Sequence, residues 1–348
     1  MHVVVVGATG NVGTSLLPAL ADDGEVDSIL GIARRRPDLA FPKTEWAQAD
    51  IADDELTSLF RAADAVVHLA WQIQPSHDFA RLRRTNVEGS ARLFQAVATA
   101  NVPALVYASS VGAYSAGPKD RLVDESWPTN GIGTSFYARH KAEVERLLDR
   151  FERESPTTRV VRLRPGLIFK RQAAAGIRRL FAGPFLVNTL LHPKLIPVIP
   201  DLPNLRFQAV HSHDAAEAYR LAVTNEVRGA FNIAAEPVLG PKELGRILDA
   251  RPVRVPARAA RFVVALTWRL HLQPTPPGWL DLALGVPLLD TARARQELGW
   301  TPRHGADDAL LDLLVGLREG AGLETPPLKA ETSRAEEVRT GVGESERR

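Results

Sequence analysis

Short apolar runs, rich in β-branched residues, punctuate the first half of this 348-residue chain. They are "HVVVV" at 2–6, "SILGIA" at 28–33, "AVVHLA" at 65–70, "ALVYAS" at 104–109 and "RVVRLR" at 159–164. Polar residues do not alternate strictly through them, so each strand is expected to be covered on both faces. Between the runs, segments near 11–22, 53–62, 79–100 and 134–153 carry helical spacing. Strand–helix alternation of this kind predicts an α/β chain built on a doubly wound parallel sheet. Pro18 falls inside the first helix, where it should kink or shorten it.

The alternation fades after about residue 165. Residues 1–165 are therefore expected to form the sheet domain, with some later segments returning to it, and 166–317 mainly a smaller C-terminal substrate-binding lobe. The amphipathic stretch "RVPARAARFVVALTWRLHL" is expected to be a lobe helix over the substrate pocket. From Arg318 aromatics vanish and small, charged, Pro and Gly residues dominate. Residues 318–348 are expected to be a disordered tail, because such a composition buries too little apolar surface to offset its ordering entropy.

Composition narrows the function classes. Lys plus Arg number 43 against 41 Asp plus Glu, a formal charge of +2. No concentrated basic face marks a nucleic-acid binder. The absence of Cys excludes disulfides, a thiol nucleophile and thiolate metal sites. It fits a reducing compartment, and a cytoplasmic location is expected. No apolar run reaches 18 residues, so no membrane span is expected, and "MHVVVVGATG" is too short a run for a signal peptide.

Candidate chemistry begins at "VVVVGATGNVG", which sets Gly7, Gly10 and Gly13 between the first strand and the first helix. Helix N-terminal amides there can hold a pyrophosphate, which side chains would keep away. This makes the sheet domain a candidate Rossmann domain, with Thr9, Asn11 and Val12 also in the loop. The second strand ends in "GIARRRP". An acid there would accept from the NAD ribose, whereas arginines accommodate the NADP 2′-phosphate. Arg34 and Arg35 thus favour NADP over NAD. Further on, "SFYARHK" holds Tyr137 and Lys141 one helical turn apart, on one face.

With these motifs together, the chain resembles the extended short-chain dehydrogenase/reductase superfamily, and within it the NAD-dependent epimerase/dehydratase family. The resemblance runs from Met1 to about Leu314. It is carried by "GATGNVG", "ADI", "VVHLAW", "TNVEGSARLF", "VYASSVGAYS", "YARHK", "RLRPGLIF", "FQAVHSHDAAEA" and "LDTARARQELGWTP". The resemblance implies that Ser110 hydrogen-bonds the substrate oxygen, with Ser109 as its rival by spacing. It implies that Tyr137 is the acid/base and that Lys141 holds the nicotinamide ribose and lowers the tyrosine pKa. It places Asp50 and Ile51 at the adenine, Leu69 and Ala70 under the cofactor, and Pro165 beside the nicotinamide. Asn86 falls where the family positions cofactor or substrate. Family members are often dimers through a helix bundle, which leaves a homodimer as an open expectation.

The chemistry needs these residue types. A free phenol, with pKa about 10, is too weak a base near neutrality. An ammonium about 5 Å away, at an effective dielectric of about 20, would favour the phenolate by roughly 3 kcal/mol. That lowers the pKa by about 2. "HSHD" at 211–214 has metal-ligand residue types but reads as a structural element, so no metal is expected, and His68 reads as a packed core histidine.

For the substrate, Phe207 stands where nucleotide-sugar enzymes of the family carry a diphosphate-binding Arg, with Arg206 one residue off. "RLRPGLIF" resembles the steroid and flavonoid reductase branch, and Trp71 would narrow the pocket mouth. The expectation is an NAD(P)-dependent oxidoreductase acting on a small, fairly apolar carbonyl or alcohol. A nucleotide-sugar epimerase or dehydratase is one alternative. A non-catalytic NAD(P)-sensing protein is the other, and the Ser–Tyr–Lys set argues against it.

Overall fold

The computed structural model describes residues 1–74, 76–182 and 197–330. Ten strands position the site: β1 (His2–Val6), β2 (Ser28–Ala33), β3 (Thr44–Gln48), β4 (Ala65–His68), β5 (Ala104–Ala108), β6 (Arg159–Pro165), β7 (Leu167–Phe169), β8 (Phe207–His211), β9 (Gly229–Ile233) and β10 (Ala235–Leu239). Seven form the main sheet in the order β9–β6–β5–β4–β1–β2–β3, with every neighbouring pair parallel. The expected doubly wound parallel sheet is therefore present.

The apolar runs are buried on both sides because successive side chains point to opposite faces. Val3 and Val5 meet Leu16, Leu17 and Leu20 of α1 (Gly13–Ala21) and Tyr219 of a helix spanning Ser212–Thr224. Val4 and Val6 belong to the opposite layer, with Leu93 and Val97 of α2 (Gly89–Thr99) and Val144 and Leu148 of α3 (Phe136–Glu154). Each such fully buried side chain contributes about 1.5–3 kcal/mol. Helix α1 runs through Pro18 and ends three residues later.

Two strands of the sheet lie outside the predicted runs. β3, "TEWAQ", is a half-exposed edge strand, and polar residues suffice where one side faces water. β9 returns from the C-terminal half to the other edge, beside β6. A smaller sheet joins β8 to β7 in parallel and to β10 antiparallel. Leu310 and Leu313 of α4 (Ala306–Glu319) pack into its core with Ala209 and Leu239.

Residues 320–330 depart from the expected tail. Thr325 and Leu328 are buried, and the Arg179 guanidinium donates to the Lys329 and Pro327 carbonyls at 2.6 and 2.8 Å. Contacts with the rest of the chain order this segment despite its composition. Residues 331–348 of the expected tail lie outside the described residues. The amphipathic stretch forms a helix, Ala257–Arg269, whose Trp268 stacks on His77 at 4.3 Å while Phe262, Val263 and Leu266 face outward, exposed. Among the described residues, no helix is long and apolar enough to cross a membrane.

Candidate active site

In open parallel sheets, ligands sit beyond the strand carboxyl ends where the strand order reverses. Here that point lies between β1 and β4. Gly7 ends β1 with φ +86°, and a Cβ on it would stand 2.6 Å from the Ala70 nitrogen after β4. A Cβ on Gly13 would meet the Ala8 carbonyl oxygen at 2.4 Å. Gly10 differs, since its nearest protein neighbour would be 3.4 Å away. The protein itself therefore leaves room beside Gly10, the kind of bare backbone that a pyrophosphate can approach.

Carbonyls of the loop are occupied, whereas several of its amides are not. The Gly7 and Ala8 N–H groups donate to Ile32 and the Gly10 N–H to Gly7, but others stay open. Thr9 oxygen accepts from the Thr325 hydroxyl at 2.9 Å, and Asn11 oxygen from Lys170 Nζ at 2.8 Å and Ser212 Oγ at 3.0 Å. The N–H groups of Thr9, Asn11, Val12 and Gly13 find no acceptor among the described residues. Four N–H groups without acceptors at a helix start fit the diphosphate of a dinucleotide.

A cavity of about 150 Å³ runs from this loop. Gly7, Thr9, Gly10, Arg34, Asp50, Ile51, Leu69 and Ala70 line it together, with Trp71 and Pro327. The sheet topology thus gathers eight predicted cofactor residues from four segments. Others stand elsewhere. Arg35 is half-buried outside that lining. Asn11 donates through its side chain to the Ile168 carbonyl at 3.0 Å. Pro165 ends β6 opposite Ile233. Asn86 is fully buried and spends both amide atoms on Gln72, accepting from its N–H and donating to its C=O at 2.7 Å each. It fixes the backbone beside Trp71 instead of presenting its amide to a ligand.

Tyr137 and Lys141 come from the first turns of α3, where Ser135 caps the helix by accepting from the Ala138 N–H. Ser110 follows β5 and accepts from the Gly112 N–H at 3.0 Å. Its rival Ser109 donates to the buried Glu145 carboxylate at 2.5 Å, so Ser110 is the serine beside Tyr137. Lys141 is buried, donates to the Ala108 carbonyl at 2.7 Å, and lies 3.5 Å from the Trp71 ring centre. Its Nζ is 5.9 Å from the Tyr137 ring centre.

The electrostatics differ from the expectation. Burial pushes the Tyr137 phenol up to about 12, and the Ser110 hydrogen bond only partly opposes it. Burial likewise drives the Lys141 ammonium well below its ordinary value, against the pull of Glu145. The lysine charge that should lower the phenol is itself penalised by the same low-dielectric surroundings. Trp71 meets Tyr137 edge-on at 5.9 Å, and Trp279 lies against it at 4.8 Å with Phe181 behind. The phenol therefore stands between two indoles.

Several site-supporting residues escaped the sequence reading. Glu145, one turn beyond Lys141, is buried and pairs with Arg164 at 2.9 Å and Arg162 at 2.9 Å. Its spacing of four from Lys141 was a visible signal. Lys170 is buried with three oxygen partners, Asn11 O, Thr14 Oγ1 and Ser15 Oγ, and burial pushes it down to about 7. Nothing local marks Lys170, Trp279 or Thr325. His68 is the packed core histidine expected, bonded to Ser90 at 2.9 Å and held down to about 3 by burial and then by Lys141. His211 and Asp214 instead reach Asp312 and His304, at 3.3 and 3.0 Å, and tie lobe to sheet. Among the described residues, no group of three or more His, Asp or Glu is arranged to hold a metal.

Fold and loop together define a Rossmann-type parallel sheet with a glycine-rich loop at its switch point. The chain belongs to the NAD dependent epimerase/dehydratase family, whose model matches residues 3–234. It is 26% identical over 327 residues to an uncharacterized Mycobacterium tuberculosis protein, Rv2047c, covering 93% of this chain and 31% of the relative. The chain thus spans about a third of the length of that relative. A second M. tuberculosis protein, Rv0501, is 26% identical over 325 residues, covering 90% of this chain and 83% of that one. Among solved structures, UDP-glucose 4-epimerase of Thermotoga maritima with UDP-glucose superposes with a TM-score of 0.68 at 20% identity, over 92% of this chain and 99% of its own. The Thermus thermophilus UDP-glucose 4-epimerase complex with NAD gives 0.65 at 21% identity, over 91% and 99%. These two likenesses establish the fold.

Proposed function

We propose that this protein is an NADP-preferring oxidoreductase acting on a small, fairly apolar carbonyl or alcohol, with Tyr137 as acid/base. The observation that carries the reading is the setting of Tyr137, with Ser110 beside it and Trp71 and Trp279 on either flank. When bound, the nicotinamide supplies or accepts the hydride at the reacting carbon. Ser110 orients the substrate oxygen. Tyr137 moves the proton at that oxygen, and a phenol raised to about 12 enters as a proton donor, which suits carbonyl reduction. Lys141 stands behind it. The indoles exclude water and favour a flat or apolar substituent. Arg34 lines the cavity beside the glycine loop, which supports the reading of an arginine that holds a 2′-phosphate.

The second reading is nucleotide-sugar epimerisation, in which hydride leaves and returns within one turnover. The two epimerase structures above are what favour it. Against it, Phe207 is packed into the lobe core, and the Arg206 guanidinium donates to the Lys119 carbonyl at 2.6 Å. Screening carbonyls and sugar nucleotides with NADPH and NAD, following nicotinamide absorbance, tests the choice. Net oxidation of NADPH by an apolar carbonyl is expected. Interconversion of a UDP-sugar without net cofactor change would sink it.

A further inference from the structure

Residues 321–330 form a short strap running from the end of α4 to the glycine loop. It is closed on itself by the Leu323 N–H to the Leu328 carbonyl at 2.9 Å and the Leu328 N–H to the Thr325 carbonyl at 3.0 Å. Its far side is anchored, since the buried Arg179 side chain donates to both the Pro327 and Lys329 carbonyls. A Cβ on Gly176 would stand 2.8 Å from the Pro327 carbonyl oxygen, so the helix beneath is cut close to receive the strap. Its near side touches the loop that presents the acceptor-free amides. Thr325 is 1% exposed and donates to the Thr9 carbonyl, and Pro327 lines the same cavity as Gly10 and Arg34.

We propose that this strap belongs to the dinucleotide site, with Thr325 and Pro327 closing over the diphosphate and adjacent ribose. The proposal rests on the dinucleotide reading of the glycine loop. Two observations carry it. Pro327 lines the cavity of about 150 Å³ together with Gly10 and Arg34, so a ligand lying along the glycine loop meets the strap. The Thr325 hydroxyl also takes the Thr9 carbonyl, which with the Gly10 N–H bond to the Gly7 carbonyl at 3.2 Å fixes the Thr9–Gly10 peptide between the acceptor-free N–H groups of Thr9 and Asn11. Strap and ligand therefore support the same loop geometry, and the strap should slow release.

The test compares four proteins: the full chain, a chain ending at Ala330, a chain ending at Gly320, and Thr325→Val. NADPH and NADH titrations give Kd, and stopped-flow nicotinamide fluorescence gives the dissociation rate. The chain ending at Ala330 should match the full chain. The chain ending at Gly320 should release nucleotide about tenfold faster and bind it about tenfold more weakly. Thr325→Val, which keeps the strap and is the safer variant for folding, should release it about fivefold faster, as expected for one lost hydrogen bond. Unchanged rates in both variants would make the strap a bystander. Tighter binding without it would make it a competitor. Either result overturns the proposal while leaving the dinucleotide reading intact. A full chain that binds neither nucleotide overturns that reading and the strap with it.

Discussion

The surroundings of the Tyr137 phenol come from four different parts of the chain. α3 supplies the phenol, the turn after β5 supplies Ser110, and Trp71 and Trp279 supply the walls. All but Trp279 were legible beforehand, because Tyr137 and Lys141 share a helical turn, "VYASSVGAY" ends a strand, and Trp71 was read as narrowing the pocket mouth. Trp279 is 142 residues away from Tyr137 along the chain, and no local pattern relates them. Tyr137→Phe should cut turnover on an identified substrate by about 10²–10⁴-fold, the usual worth of a positioned acid/base. Its NADPH affinity should stay that of the wild type, as titration would show. Turnover at the wild-type level would remove Tyr137 from the mechanism. Arg34→Ala should weaken NADPH by about tenfold, a loss of about 1.4 kcal/mol, and leave NADH nearly unaffected. Equal losses for the two cofactors would end the NADP preference.

Helix α3 shows what an element does beyond carrying two side chains. Tyr137, Lys141 and Glu145 occupy one face at successive turns, so the helix buries a charged network on the face that carries Tyr137. Burial alone would push the Glu145 carboxyl up, but bonds from Arg164, attraction to Arg162 and the Ser109 hydroxyl bring it down to about 2. Two arginines inside β6 therefore have a carboxylate partner, which explains how "RVVRLR" can be a fully buried strand. Glu145→Ala should destabilise the fold by about 3–5 kcal/mol, because it strands buried guanidinium charge. Urea unfolding would measure it, and a change below about 1 kcal/mol would refute the buried-pair account. The pH sign follows from the depressed carboxyl. Its stabilisation is complete above the unfolded pKa of about 4.3 and is lost as pH falls towards 2. The full effect is about 3 kcal/mol between those limits. Glu145→Gln should flatten that part of the acid-unfolding profile.

Across the whole molecule, the sheet order brings the ends of β1, β2 and β4 together, and a bound dinucleotide would tie all three to the strap. Saturation at a hundredfold excess over Kd should stabilise the protein by about 2.7 kcal/mol. Calorimetry should show this for NADPH and no comparable shift for a UDP-sugar added alone. A shift with the sugar nucleotide of equal size would favour the epimerase reading.

The fold was largely readable because periodicity is a local property. Five buried runs and four helical stretches imply a doubly wound sheet whichever way the lobe folds, and the glycine loop and Tyr137–Lys141 are contiguous motifs. β3 and β9 were not readable, since one is a polar edge strand and the other follows a long excursion through the lobe. Thus the amino-acid order by itself determined the parallel-sheet class, the glycine loop and the helical turn that pairs Tyr137 with Lys141. Tertiary structure alone decided the Trp279 wall, the Glu145–arginine network, the Lys170 contact and the strap on Thr9. Their partners lie up to 316 residues apart, and such pairings depend on where the folded sheet and lobe bring distant segments, not on any repeat along the chain. It also decided that burial raises the Tyr137 phenol to about 12 with the Ser110 hydrogen bond opposing it, because desolvation disfavours every charge enclosed there.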